Sequence, residues 1–241
     1  AQELKHLLNS YFTPITKEIF DRLGTIDKYV GDMVMAFWGA PLDDENHHNN
    51  AVLAALNMQT ITEQLKVIFK EEGLPEINIG VGVNTGFMNV GDMGSSYRRS
   101  YTVLGDAVNL GSRLESITKF YGSKILIGED TFDKINGFVC RFVDRIQVKG
   151  KEDAIRVYEP IGLEGEVDQI ILDELAQYNN AYALLLERKW AKAKSAFQLL
   201  SEQTPLGVYG VYLERLPFLQ EQDNAKELPD DWDGTFRHTN K

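Results

Sequence analysis

Cysteine is nearly absent: Cys140 is the single thiol among 241 residues. One thiol closes no internal disulfide, so stability has to come from a packed core, and the usage fits a reducing compartment. Cys140 lies in FVCRFVD, where it reads as a small strand residue and not as a nucleophile. Long apolar runs are lacking as well. The longest are a few residues against the ~20 of a spanning helix, and the opening AQELKHLLNS has no signal-peptide core, so no membrane span is expected in this chain. There is no surplus of basic residues either: 25 Lys and Arg stand against 36 Asp and Glu, a net charge of −11. Nucleic acid is bound through clustered cations, which excludes it as the main partner and leaves any anionic ligand to a few local groups.

What is present supports a globular core, with 43% hydrophobic residues. Leu4, Leu7, Leu8, Tyr11, Ile15, Ile19 and Leu23 recur at spacings of three and four, which predicts a first helix with Pro14 as a kink and Gly24 as its C-cap. GTIDKYV and MVMAFWG read as two strands of a hairpin joined by Gly31-Asp32. A second helix runs from about residue 49 to 72 and is ended by Gly73 and Pro75. INIGVGVNTG alternates bulky residues with glycine, a strand that another backbone approaches closely, and FMNVGD is expected to pair back on it. A third helix follows in DAVNLGSRLESITKFYG, with Asp106 as N-cap candidate. SKILIG, a short helix near 130–135, and the strands FVCRFVDRIQV and IRVYEPIG complete an α+β unit.

Beyond residue 164 the pattern is helical only. Ala193, Phe197 and Pro205 match the spacing of the second helix of a tetratricopeptide-type (TPR) repeat, although a plain helical hairpin is an equal reading. A lone repeat cannot bury its own face, so it is expected to dock on the first domain or on another chain. The acidic tail ELPDDWDGTFRHTNK reads as lacking regular structure, with Trp232 and Phe236 as anchors. The expected division is 1–163, then a helical, TPR-like extension at 164–222, then a tail at 223–241.

Few residues stand out chemically. Asn109 and Arg113, at i and i+4, project from one helix face, an amide beside a planar guanidinium that suits a phosphate gaining charge in a reaction. Spacing alone favours a plain exposed pair. Lys149 and Lys151 flank a glycine in VKGK, a weak signal, and His47-His48 read as a polar linker. Gly-Asp occurs three times. Asp92 and Asp106 have sufficient roles in a loop and at a helix start, whereas Asp32 sits between apolar strands at a hairpin tip, where an oxygen ligand for Mg²⁺ would be rigidly presented. A turn explains Asp32 fully, but not Lys28 four residues before it.

Taken in order, GTIDKYVGDMVMAFWGAP, INIGVGVNTG, YTVLGDAVNLGSRLES and IQVKGK resemble successive signature segments of the class III nucleotidyl cyclase catalytic domain, most closely its bacterial adenylate cyclase branch, over roughly residues 1–162. The resemblance implies an α+β fold of ferredoxin-like, palm type, with an antiparallel-rich sheet and packed helices. It also implies conversion of ATP to cyclic AMP and pyrophosphate with two Mg²⁺ or Mn²⁺ ions per site, in a head-to-tail homodimer. By position, Asp32 matches a metal-binding aspartate and Lys28 the purine-selecting lysine. Thr102 stands where bacterial members carry Thr or Asp to read adenine, so Lys plus Thr points to ATP over the GTP of guanylate cyclases. Asn109 and Arg113 match the pair that orients the ribose and stabilises the pentavalent α-phosphate. Lys149 matches a lysine for the terminal phosphates, and Arg98 or Arg99 is assigned similar work.

One departure concerns the family's first metal aspartate, which lies on a strand upstream of the first helix. The sequence begins inside that connection, so activity is expected of the intact protein and not of these residues alone. A cytoplasmic location is expected, which is compatible with a sensor or membrane segment upstream. The competing readings are a guanylate cyclase and a non-catalytic dimerisation module derived from a cyclase.

Overall fold

The protein is described by a computed structural model covering residues 2–147 and 154–237. It divides into two compact units, Ala1–Ser116 with Lys124–Asn136, and Ile117–Ser123 with Gly137–Lys241.

In the first unit, helix α1 (Gln2–Asp21) turns the three-and-four spacing into a buried stripe. Ile15 and Ile19 are each 1% exposed and pack with Ala54 and Met58 of α2 (His47–Glu71). The cap of α1 differs from expectation. Leu23 takes the left-handed conformation at φ 62° while Gly24 N–H bonds the Ile19 carbonyl at 2.8 Å. Gly24 is needed for another reason: a Cβ there would lie 2.6 Å from Ile19 Cγ2 and 2.7 Å from Trp38 Cε2. Gly73, at φ 69°, does end α2 as expected, with Leu74 N–H bonding the Phe69 carbonyl at 2.8 Å.

Strands β1 (Thr25–Val30) and β2 (Met33–Phe37) form the hairpin. Val30 pairs with Met33, so Gly31-Asp32 is a two-residue turn with Gly31 at φ 65°. The expected strand through 77–86 is shorter, and only β3 (Val81–Val83) forms. FMNVGD does not pair back on it. Instead β4 (Asn89–Gly94) pairs antiparallel with β5 (Arg99–Leu104), and β3 pairs in parallel with β6 (Ile125–Gly128). The cause lies in the register: β4 and β5 form a hairpin closed tightly enough that Ser95 N–H bonds the Arg98 carbonyl at 2.9 Å, which satisfies β4 locally. Between β5 and β6 runs α3 (Asp106–Tyr121), and α4 (Glu129–Phe132) follows β6.

In the second unit, β7 (Phe138–Gln147) and β8 (Ile155–Leu163) are antiparallel. Three helices follow: α5 (Gln169–Leu186), α6 (Trp190–Gln203) and α7 (Gly207–Asn224). Their inner faces bury Tyr178, Phe197 and Tyr209 completely, and the hydroxyls of Tyr178 and Tyr212 donate to the Val143 carbonyl at 3.3 and 2.7 Å. The helical segment thus docks on β7. The tail, expected to lack regular structure, carries β9 (Phe236–Arg237), parallel to β7. Asp233 pairs with Arg145 at 2.7 Å and Trp232 lies against Trp190, which holds the chain in place for that pairing.

Two ionic clusters lie inside this unit. Asp144, fully buried, accepts from the Tyr121 hydroxyl at 2.5 Å and from Arg215 at 2.6 Å. Arg141 pairs with Glu159 at 2.5 Å and Glu174 at 2.7 Å. The architecture is mixed α+β with antiparallel-rich sheets and packed helices. Among the described residues no helix is long and apolar enough to cross a membrane.

Candidate active site

The hairpin tip presents Asp32 to solvent. It has no hydrogen-bond or ion-pair partner among the described residues, so its carboxylate oxygens are available to a hard cation. Its charge is felt nearby: burial, and secondarily Asp32, push the Tyr11 hydroxyl up to about 12. Among the described residues no group of three or more His, Cys, Asp or Glu side chains is placed to hold a metal alone. The donor set here is therefore one carboxylate, which fits a metal shared with phosphate oxygens.

Four residues before the tip, Lys28 extends along the surface with its side chain 48% exposed. Its Nζ donates to Thr102 Oγ1 at 3.4 Å, joining two residues 74 positions apart in the chain. Thr102 is buried on β5 at 7% exposure. The two side chains that the sequence singled out for the same task are thus in contact.

Between them stands Asp27, which sequence reasoning missed. Its side chain is fully buried. Asp27 Oδ2 accepts the Thr102 hydroxyl at 2.6 Å and Val103 N–H at 3.2 Å, and Oδ1 lies 3.2 Å from Lys28 Nζ. The backbone explains the placement. The hairpin pairs Ile26 with Ala36 and Lys28 with Met35, so Asp27 is the extra residue of a β-bulge, a device that re-aims a side chain. A signal existed in the sequence: an acidic residue inside a β-branched strand, next to an unexplained lysine.

Asn109 and Arg113 lie one turn apart on α3, both exposed and both without a side-chain partner among the described residues. The helix that carries them is held firmly. The Gly105 carbonyl accepts from Val108 and Asn109 N–H at 3.1 and 3.3 Å, so the helix starts at Asp106 with Gly105 in the capping position. Asn84 Nδ2 donates to the Ala107 carbonyl at 3.0 Å. Gly82 lets β3 touch the helix backbone, since a Cβ there would meet the Gly111 carbonyl oxygen at 2.2 Å and Glu115 N at 2.3 Å. The close backbone approach expected from the glycine pattern is real, and the approaching element is the helix bearing the exposed pair.

Arg98 lies in the connection between β4 and β5, exposed, with its backbone N–H bonded to Ser95 Oγ at 3.2 Å. Lys149 falls outside the described residues. Burial pushes the Cys140 thiol up to about 12, which disfavours its thiolate. His47 and His48 belong to the first turn of α2 and not to a linker. His47 Nδ1 lies 2.6 Å from the Asp44 carbonyl oxygen, and burial, then His47, lower the His48 pKa.

An exposed amide–guanidinium pair, a lysine–threonine contact and a lone tip carboxylate are the polar groups that these elements present. The terminal-differentiation-specific adenylate cyclase of Dictyostelium discoideum is 37% identical over 204 residues, 82% of this chain and 9% of that protein. The adenylate cyclase of Anabaena cylindrica is 36% identical over 165 residues, 65% of this chain and 32% of its own length. The chain therefore spans less than a third of the curated relatives it matches here. Among solved structures, the adenylyl cyclase CyaB from P. aeruginosa superposes with a TM-score of 0.63 at 33% identity, covering 70% of this chain and 87% of that one. Residues 1–159 match the adenylate and guanylate cyclase catalytic domain. The chain belongs to that family of cyclase catalytic domains.

Proposed function

We propose that the intact protein converts ATP to 3′,5′-cyclic AMP and pyrophosphate. The reading is carried by the contact of Lys28 Nζ with Thr102 Oγ1, which brings a half-exposed donor onto a buried hydroxyl. A lysine suits the ring acceptor of adenine, and a hydroxyl lone pair suits its exocyclic amine. Lys28 and Thr102 hold the base, and Asn109 orients the ribose so that the 3′-oxygen faces the α-phosphorus. In the reaction that oxygen loses its proton, the bond from O3′ to the α-phosphorus forms, and the bond to the bridging oxygen of pyrophosphate breaks. Arg113 donates to the α-phosphate oxygens as charge builds there, a contribution of about 3–4 kcal/mol when one such preorganised donor is at stake. Arg98 and Lys149 are assigned to the terminal phosphates.

Asp32 would hold Mg²⁺ or Mn²⁺, two ions per site, together with a further carboxylate and the phosphates of the nucleotide. When bound, such ions acidify the attacking hydroxyl and neutralise the leaving group. We assign the working form to a head-to-tail homodimer in which Asp32 of one protomer serves a site completed by Lys28, Thr102, Asn109 and Arg113 of its partner. Support comes from apolar side chains left in solvent around these elements: Tyr29, Val30 and Met33 at the hairpin tip, and Phe87, Tyr97 and Leu104 around β4 and β5.

Residues 1–163 are assigned as the catalytic part, 164–222 as a TPR-like extension, and 223–241 as its tail. Ala193 and Phe197, both fully buried on α6, support the repeat-like reading. A cytoplasmic site of action follows from the substrate. The test is to incubate the intact protein with Mg²⁺ or Mn²⁺ and either ATP or GTP. Cyclic AMP formed from ATP, abolished by Asp32→Asn, is expected. No cyclic product from the wild type, or undiminished product from Asp32→Asn, refutes the reading, and preferential cyclic GMP formation assigns a guanylate cyclase.

A further inference from the structure

We propose that Asp27 is a positioning residue for base selection: its buried carboxylate commits the Thr102 hydroxyl proton, so that Thr102 offers the purine only a lone pair. The inference rests on the reading of Lys28 and Thr102 as the groups that meet the base.

A threonine hydroxyl carries one donor and two acceptor positions, and its rotor turns to suit the partner. At C6, adenine presents an amine that donates and guanine a carbonyl that accepts. A freely turning hydroxyl serves either one and discriminates poorly. Here the rotor is not free. Thr102 Oγ1 donates to Asp27 Oδ2 at 2.6 Å, and the same carboxylate oxygen is anchored by Val103 N–H at 3.2 Å. Lys28 Nζ occupies one Thr102 lone pair at 3.4 Å. One lone pair remains, and it can only accept. An adenine amine satisfies it, whereas a guanine carbonyl would set acceptor against acceptor.

Asp27 also governs the lysine. Its Oδ1 is buried without a hydrogen bond of its own, 3.2 Å from Lys28 Nζ, and so holds the ammonium beside the threonine. The remaining Lys28 protons suit N1 of adenine, which accepts, and oppose N1 of guanine, which carries a hydrogen. With its side chain fully enclosed, Asp27 acts through these two groups and not on the base itself. The bulge is what permits this. In regular alternation neighbouring side chains point to opposite faces, but Asp27 and Lys28 both converge on Thr102.

The test compares kcat/KM for ATP and GTP in the intact protein. Asp27→Asn keeps the shape, but in either amide orientation its NH₂ faces Lys28 Nζ or the Thr102 and Val103 donors. The ATP-to-GTP ratio is expected to fall about 10-fold, through a higher KM for ATP. Combining Asp27→Asn with Thr102→Asp should restore the ratio, because a carboxylate at 102 accepts without needing its proton directed. Thr102→Asp alone sets two carboxylates together and should select ATP less well than the double variant. If Asp27→Asn does not fold, Thr102→Asp alone decides: its ATP-to-GTP ratio is expected to fall below that of the wild type, and a ratio no lower overturns the proposal. A common loss for ATP and GTP in Asp27→Asn, with no recovery in the double variant, also overturns it and leaves Asp27 a structural role. Lys28→Met and Thr102→Val separate the levels. If they shift the ratio and Asp27→Asn does not, the role of Asp27 alone falls; if neither shifts it, the base-reading role falls as well.

Discussion

In the second unit Asp144 is enclosed by Tyr121 and Arg215, and Arg141 by Glu159 and Glu174; in the first, Asn109 and Arg113 stand in solvent with no side-chain partner among the described residues. Both regions are rich in polar groups, yet they are built on opposite terms. A buried charge stripped of one partner costs several kcal/mol, and Asp144 has both Tyr121 and Arg215 as partners. An exposed pair left open on a rigid helix is available to a ligand. Desolvation raises the Asp144 pKa, and Arg215 and the Tyr121 hydroxyl pull against that rise. Pairing with an opposite charge, rather than the mere presence of charge, sets the Asp144 and Arg141 clusters apart from the exposed pair proposed to meet substrate.

The largest effect should come from opening the closed region. Arg215→Ala leaves Asp144 buried without its cation and is expected to cost about 3–5 kcal/mol, read by urea unfolding. A loss under about 1 kcal/mol would break the comparison, since such a network would then be no more closed than a surface pair. Next come the open groups. Arg113→Ala and Asn109→Ala should each lower kcat of the intact protein about 10²–10³-fold while the melting temperature stays within about 2 °C. Equal losses of stability and turnover would show that the pair belongs to the framework instead. The smallest expected effect falls on the support between them. Gly82→Ala drives a Cβ into the α3 backbone and should destabilise by about 1–3 kcal/mol, with turnover reduced because Asn109 and Arg113 shift together. Full activity with lowered stability would show that the helix position is less critical than its contacts suggest.

Much of this was legible in the chain. The α1 stripe, the Gly31-Asp32 turn and the end of α2 follow from local chemistry, and the structure keeps all three. Pairing partners were harder to read. The segment at 87–92 has the composition to pair with either neighbour, and only the closure of the hairpin at Ser95–Arg98 selects β5 over β3. The cap of α1 was misread because a glycine one residue too late was there for packing, while Leu23 took the positive φ. Within the site, Lys28, Thr102, Asn109, Arg113 and Asp32 stood out by motif. Asp27 did not, because its role depends on a break in strand alternation that no spacing records.

That break also has a mechanical side. A two-residue turn indexes the hairpin at one end and the bulge at Asp27 indexes it at the other, so the ladder has no alternative alignment into which it can slide. The β1–β2 ribbon therefore works as a fixed gauge, with the stretch from Lys28 to Asp32 as its calibrated span. Inserting or removing one residue within that span would not merely lengthen a loop but would put the two ends of the gauge out of phase.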